Sequence, residues 1–170
     1  MLKKISSTKE FEHKGGSVFI DKYSDGSFEK TKLIIEKKDG VIVLIKKNDR
    51  IAMISHYRPE FDISSLEFPG GGIDFPEPPE ETAKRETKEE TGIIIKNLQK
   101  IGKIFPSVHV RNWLYVFVAE YDSMGDQSTQ EDEDIQVKWY TKKEIEERVA
   151  NNEIISSQTI AAFSMARGVV

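Results

Sequence analysis

Between Gly16 and Tyr57 the apolar residues fall in short runs rich in β-branched side chains: GSVFIDKY, KTKLIIEKK, VIVLIKK and RIAMISHY. Such runs predict strands. The separators SDG, KDG and KNDR carry the Asp-Gly and Asn-Asp chemistry of tight turns, so antiparallel hairpins are expected. From Pro59 to Pro79 proline and glycine interrupt this pattern. A helix is then predicted from about Pro79 to Thr91. Pro78 and Pro79 suit a first turn whose amides have no intrahelical partner. Glu80 and Glu81 sit well at the positive end of its dipole, and Gly92 is a natural stop. Farther on, NWLYVFVAEY reads as a buried strand, DSMGDQSTQEDED as a polar acidic loop and DIQVKWY as another strand. TKKEIEERVANN reads as a helix capped by Thr141, and SSQTIAAFSMARG as a last amphipathic helix. Strands on both sides of a central helix, with more helix at the end, define a mixed α/β sandwich.

Composition narrows the function classes. The chain has 170 residues, 38% hydrophobic and 32% charged, as expected of one domain with a real core. A net charge of -4 disfavours a general nucleic-acid binder, which carries a basic surface. The absence of cysteine excludes disulfides, thiolate metal sites and a cysteine nucleophile. No apolar run approaches the roughly 20 residues that span a bilayer. The first residues, MLKKISSTKEFEHKGG, lack the apolar core of a signal peptide. A cytoplasmic location is therefore the expectation.

The stretch EFPGGGIDFPEPPEETAKRETKEETGI carries the candidate chemistry. On a helix Glu86, Glu89 and Glu90 stand at i, i+3 and i+4, on one face. Arg85 reaches Glu89 at i+4 but cannot neutralise all three, and a divalent cation would relieve the rest. Oxygen ligands without His or Cys select a hard ion, Mg²⁺ first and Mn²⁺ as substitute. The glycines upstream, Gly70 and Gly71 among them, let backbone approach a ligand without side-chain obstruction. A metal, carboxylates and a backbone-lined loop imply chemistry on a phosphate ester or pyrophosphate. Read alone, however, KRETKEE is equally an ordinary solvated helix face.

The spacing separates these two readings. From Gly71 the segment runs G-x5-E-x7-R-E-x-x-E-E-x-G-I, through Glu77, Arg85, Glu86, Glu89, Glu90, Gly92 and Ile93. It resembles the Nudix box, the signature of hydrolases acting on a nucleoside diphosphate linked to another group. Thr87 departs from the pattern, where the family has an aliphatic residue packing the helix on the sheet. Pro76 replaces a glycine often seen before the first box glutamate. HYRPEFDISSLEFPGG, leading into the box, resembles the ADP-ribose and nucleoside-diphosphate-sugar pyrophosphatases. The downstream QEDEDIQVKWYTKKEIEERVANNEIISSQTIAAF resembles their acidic loop, strand and closing helices, more diffusely.

That resemblance implies one Nudix domain over residues 1–170, an α/β/α sandwich with a mixed sheet. N-terminal β-hairpins (about residues 1–50) would precede the core (about 51–170) and pair two copies into a homodimer. Glu86, Glu89 and Glu90 become expected metal ligands, joined by the Gly70 carbonyl, with Arg85 orienting a box glutamate. Glu133, or else Glu131, would hold or deprotonate the attacking water. Arg58 and Gly71 would face the substrate. Tyr23 and Phe28 are candidate base-stacking aromatics, against a packing role for each. FPSVHVRNW, in the region where ADP-ribose enzymes often carry a Ser-Pro-Gly turn and a later acidic residue, has neither the glycine nor the glutamate. Nucleoside-diphosphate sugars therefore stay open as substrates. A nucleoside triphosphate pyrophosphatase and a non-catalytic nucleotide-sugar sensor are the alternatives.

Overall fold

The computed structural model describes residues 1–128 and 135–170. Two units emerge from the chain: residues 1–39 with 105–113, and residues 40–104 with 114–170.

The first unit is a sheet of four strands. β1 (Lys3–His13), β2 (Gly16–Ser24) and β3 (Glu29–Glu36) form an antiparallel meander, and the short β8 (Val110–Arg111) adds parallel to β3. Every residue of β1 is exposed. Its sequence, KKISSTKEFEH, shows no apolar alternation, so this strand is held by β2 and not by a core. Ile34 on β3 and Asp21 on β2 are nevertheless buried, Asp21 fully so. Asp21 is the charged one of the two. It accepts from Ser7 Oγ at 2.5 Å and Arg111 Nη2 at 2.5 Å, which ties β1, β2 and β8 together. Arg111 also donates to Glu36 at 3.0 Å.

The second unit holds a six-stranded mixed sheet. β4 (Gly40–Lys47), β5 (Arg50–Arg58), β9 (Leu114–Met124), β7 (Ile93–Ile104) and β10 (Ile135–Thr141) run in the order β10-β5-β4-β9-β7, and β6 (Ile63–Glu67) pairs with β5. β4 is buried on both faces, with Val43, Leu44 and Ile45 all at 0% exposure. Alternation along it feeds two cores. Val41, Val43 and Ile45 meet Ala83, Phe117 and Ile93 under α1 (Pro79–Thr91), while Ile42 and Leu44 face the other side. There α2 (Lys142–Ala150) contributes Ile145, and α3 (Ser157–Ala166) contributes Ala162, Phe163 and Ala166. Burying each large side chain of this kind stabilises by roughly 1.5–3 kcal/mol.

Helix α1 spans the residues its sequence predicts, with Pro78 as N-cap and Gly92 closing it at φ 69°. Its buried face is Thr82, Ala83, Thr87 and Thr91, all small, so the helix lies close on the sheet. Thr87, where an aliphatic residue is usual, is fully buried. Thr141 caps α2 in a capping box with Glu144.

Four strands go beyond the sequence reading: β1, β6 inside the proline- and glycine-rich stretch, β7 and the short β8. One predicted turn is corrected. KDG does not join a hairpin, because β3 pairs within the first sheet while β4 pairs with β5 and β9 in the second. SDG and KNDR do close hairpins, β2–β3 and β4–β5.

Candidate active site

The site begins where β5 parts from β4. Their pairing covers only Ile45–Lys47 against Arg50–Ala52, after which β5 continues with β6. The edge of β4 that this frees is taken by the loop after β6. Val43 N donates to Pro69 O and Val41 N to Gly71 O, both at 2.9 Å, and Gly40 bridges to Gly72. The loop runs so close that a Cβ on Gly70 would strike the Val41 carbonyl. A Cβ on Gly71 would land on the Glu86 carboxylate. Close approach, and not a left-handed backbone, is what both positions require. The positive-φ glycines among the described residues are Gly16, Gly26 and Gly92.

Against this loop α1 sets its carboxylates, organised around Arg85. The Arg85 guanidinium gives Nε and Nη2 to Glu77, the latter at 2.9 Å, and Nη1 to Glu86 at 2.7 Å and Glu89 at 3.0 Å. Nη2 also donates to Gly72 O at 3.3 Å. Glu90 points to the loop and accepts from Gly70 N at 2.8 Å. Glu77 further accepts from Thr82 Oγ1 at 2.7 Å, and these bonds hold its pKa below the usual carboxylate value. Glu86 is shifted the other way. Burial raises its pKa against the opposing pull of Arg85, and the charges of Glu89 and Glu77 push it further up.

The described residues assemble no cluster of three or more His, Asp or Glu side chains spaced as a metal cage. The physical reason is visible: Arg85 Nη1 sits between Glu86 and Glu89, and Glu90 is turned to Gly70. The donor set nevertheless fits a hard divalent ion. All its side-chain donor atoms are carboxylate oxygens, and Glu86 is a largely buried carboxylate whose desolvation a cation would offset.

The predicted site residues divide as follows. Arg85, Glu86, Glu89, Glu90, Gly70 and Gly71 are brought together. Arg58, at the end of β5, forms a bidentate pair with Glu67 (Nε 3.0 Å, Nη2 2.7 Å), which raises its pKa, with a smaller contribution from the charge of Glu90. Glu67 and Glu77, as partners of these arginines, were not singled out in sequence for any role beyond the box spacing. Tyr23 and Phe28 belong to the first unit. Tyr23 OH donates to Asp21 at 3.2 Å, and Phe28 sits exposed at the β2–β3 turn. His109, in the same unit, has its Nδ1 3.2 Å from Leu33 O, which is a structural contact. Glu131 and Glu133 lie outside the described residues. The flanks of their segment are anchored at the end of α1: Ser128 N donates to Glu89 O at 3.0 Å, and Gln127 Nε2 to Glu90 O and Ile135 O.

A helix that gathers carboxylates beneath a glycine loop, on a mixed sheet covered on both faces, defines a hydrolase scaffold for phosphoanhydrides. The NUDIX domain matches residues 36–163, well over half of the chain. The chain belongs to the Nudix family and is a pyrophosphohydrolase of that family, whose members generally use divalent metals. It is 27% identical over 166 residues to an ADP-ribose pyrophosphatase of Bacillus subtilis (strain 168), covering 95% of this chain and 90% of that one. A second ADP-ribose pyrophosphatase, from Mycobacterium tuberculosis (strain ATCC 25618 / H37Rv), is 30% identical over 138 residues, 77% of this chain and 66% of its own. An NAD-capped RNA hydrolase NudC of Enterobacter sp. (strain 638) is 32% identical over 100 residues, 59% of this chain and 37% of its own. In fold, the chain is similar to the crystal structure of an ADP compounds hydrolase, with TM-score 0.84 at 16% identity over 98% of this chain and 92% of that one.

Proposed function

We propose that this chain hydrolyses the pyrophosphate bond of ADP-ribose or a related nucleoside-diphosphate sugar, releasing a nucleoside monophosphate and a sugar phosphate. The observation that carries this reading is the Arg85-centred array of Glu77, Glu86 and Glu89 against Gly71, with Glu90 on Gly70. The two ADP-ribose pyrophosphatases among its relatives support the substrate class.

Glu86, Glu89 and Glu90, with the Gly70 carbonyl, would hold a divalent ion, Mg²⁺ in the first place and Mn²⁺ as substitute. When bound, such an ion offsets charge on the pyrophosphate oxygens and makes water a better nucleophile. Arg85 orients Glu86 and Glu89 and keeps their carboxylates from repelling each other apart. The bare backbone at Gly71 leaves room for the Glu86 carboxylate, and the substrate's phosphates would lie against this loop. Arg58 supplies a fixed cation for them. Glu133, with Glu131 as second choice, aligns a water for in-line attack on phosphorus and accepts its proton as the anhydride P–O bond breaks. The leaving phosphate carries away the bond's electron pair. The exposed edge strand β1 and the apolar side chains Ile5 and Phe11 on it, 54% and 60% exposed, support a homodimer formed through the first unit. Sedimentation at micromolar concentration tests it: two copies are expected, and a single copy removes the proposal.

The test of the activity is a Mg²⁺-dependent hydrolysis panel with products resolved by chromatography. ADP-ribose, several nucleoside-diphosphate sugars, dinucleoside polyphosphates, NADH and nucleoside triphosphates would be compared. NADH is included because of the NAD-capped RNA hydrolase relative. Fast release of a monophosphate and a sugar phosphate is the expected result. Preference for triphosphates would refute the substrate class, and tight binding without turnover would refute catalysis.

A further inference from the structure

The Arg58–Glu67 pair has an unusual geometry for two residues on neighbouring strands. In the β5–β6 register Arg58 stands opposite Ile63, and Glu67 stands opposite Ile54. The two are thus displaced along the sheet by four residues, about 13 Å at strand rise. Ile54, His56 and Arg58 alternate onto one face of β5. To reach Glu67, the Arg58 side chain must recline along that face, across the rung where His56 pairs with Ser65. It ends in a two-point fork at 3.0 and 2.7 Å. Cross-strand pairing alone does not produce this, since a strand-stapling pair joins facing residues.

The fork delivers the guanidinium to one place. Glu67 lies three residues before Gly70, whose amide is held by Glu90. Glu90 acts on Arg58 through its charge. Glu67 is the better buried partner, its side chain 18% exposed against 38% for Arg58. Among the described residues the hydrogen bonds of Arg58 go to Glu67, through Nε and Nη2. The Nη1 corner is left for a second anion, and a planar fork fixed on one edge presents the other in a set direction.

We infer that Glu67 is a positioning residue, which fixes Arg58 at the start of the Gly70 loop as a clamp for the diphosphate of the substrate. This rests on the function proposed above and adds to it a residue outside the box. Removing the carboxylate frees a long, mobile side chain, and the anion must then order it on binding.

The test uses inorganic pyrophosphate as probe, by titration calorimetry with Mg²⁺, alongside steady-state kinetics on the substrate found in the panel. Glu67→Gln is expected to weaken pyrophosphate binding and raise KM about tenfold or more, with kcat changed much less. Glu67→Asp keeps the charge and should recover part of the loss. The exchange Arg58→Glu with Glu67→Arg restores the ion pair and hence thermal stability, but it moves the cation and should leave binding weak. Unchanged pyrophosphate affinity in Glu67→Gln, or full recovery in the exchanged pair, would overturn the inference. The two proposals fail separately. Glu67-dependent pyrophosphate binding without turnover of any compound would refute the activity alone. Turnover with Glu67-independent binding would refute the positioning role alone.

Discussion

Replacing Gly70, Gly71 and Gly72 one at a time by alanine should divide stability from catalysis, because the three added methyl groups meet different things. At Gly71 the new Cβ falls under 3.0 Å from the carboxylate carbon and both oxygens of Glu86. That carboxylate is pinned by Arg85 Nη1 at 2.7 Å, yet it is the far end of a side chain and can move. Ordinary contact requires a displacement of about 1 Å, and a misplacement of that size costs on the order of 10²-fold in rate. Stability should change by less than about 1 kcal/mol, since no backbone has to shift. At Gly70 the Cβ meets the Val41 carbonyl and the Ile42 Cα, which are backbone atoms of the buried strand β4. Overpacking of this kind costs about 1–3 kcal/mol, or several degrees in Tm for a chain of this size. At Gly72 the methyl meets nothing within 4 Å, and neither quantity should move. Thermal unfolding and kcat, measured on the three variants in parallel, check all of this. Near-normal kcat in Gly71→Ala, or a Gly72→Ala as impaired as Gly71→Ala, would refute the placement of Glu86 against the loop.

Glu90→Gln should abolish metal-dependent turnover with its unfolding midpoint within about 1 kcal/mol of wild type, because the amide oxygen can still accept from Gly70 N; near-normal turnover would remove Glu90 from the metal set. Glu133→Gln should lower kcat about 10²-fold or more and Glu131→Gln much less, while substrate affinity stays put in both, as for a group that acts on the attacking water; the reverse order would exchange their roles. Asp21→Asn should destabilise the first unit by about 1.5–3 kcal/mol, the range for losing hydrogen bonds to a charged group, because Arg111 is half-exposed and keeps Glu36. The same residue gives a pH signature. Burial raises the Asp21 pKa, but Ser7, Arg111, Lys4 and Tyr23 outweigh it and hold it below 3.8. A depressed carboxylate stabilises the fold above its unfolded pKa and loses that contribution as pH falls through the folded value. Wild type and Asp21→Asn should therefore differ at neutral pH and converge in acid, below 3.8; a constant gap would refute the assignment.

What could be read in advance followed from how local the cause is. The limits of α1 were legible because paired prolines open it and a glycine closes it, both acting within a turn. β4 and β5 were legible because a strand buried on both faces is a continuous apolar run. β7 was not. Asn97 at φ 51° and register shifts at Lys96/Gln99 and Lys100/Gly102 break the period-two pattern along IIIKNLQKIGKI. β1 could not be read either, since a fully exposed edge strand buries nothing to leave a pattern. At the site, the glutamates of α1 share one face by helical spacing alone. The loop's contacts with Val41, and the reach of Arg58 to Glu67, depend on where β5 leaves β4, which no spacing encodes.

Charge links the local and the non-local parts of the site. Glu67, Glu77, Glu86, Glu89 and Glu90 stand around the loop; among the described residues Arg58 pairs with Glu67, and Arg85 with Glu77, Glu86 and Glu89. Both arginines are already paired with carboxylates. Arg58 is committed to Glu67, and Arg85 divides its fork among three carboxylates and the Gly72 carbonyl. Among the described residues the carboxylates remain in excess; burial raises the Glu86 pKa first, and the charges of Glu89 and Glu77 add to it against the pull of Arg85. A third arginine would reduce the excess without removing it, and could not approach the loop backbone as a small ion can. The two arginines therefore fix the carboxylates in place without neutralising them, and leave a residual negative field whose natural complement is a hard divalent cation carrying a polyanionic substrate.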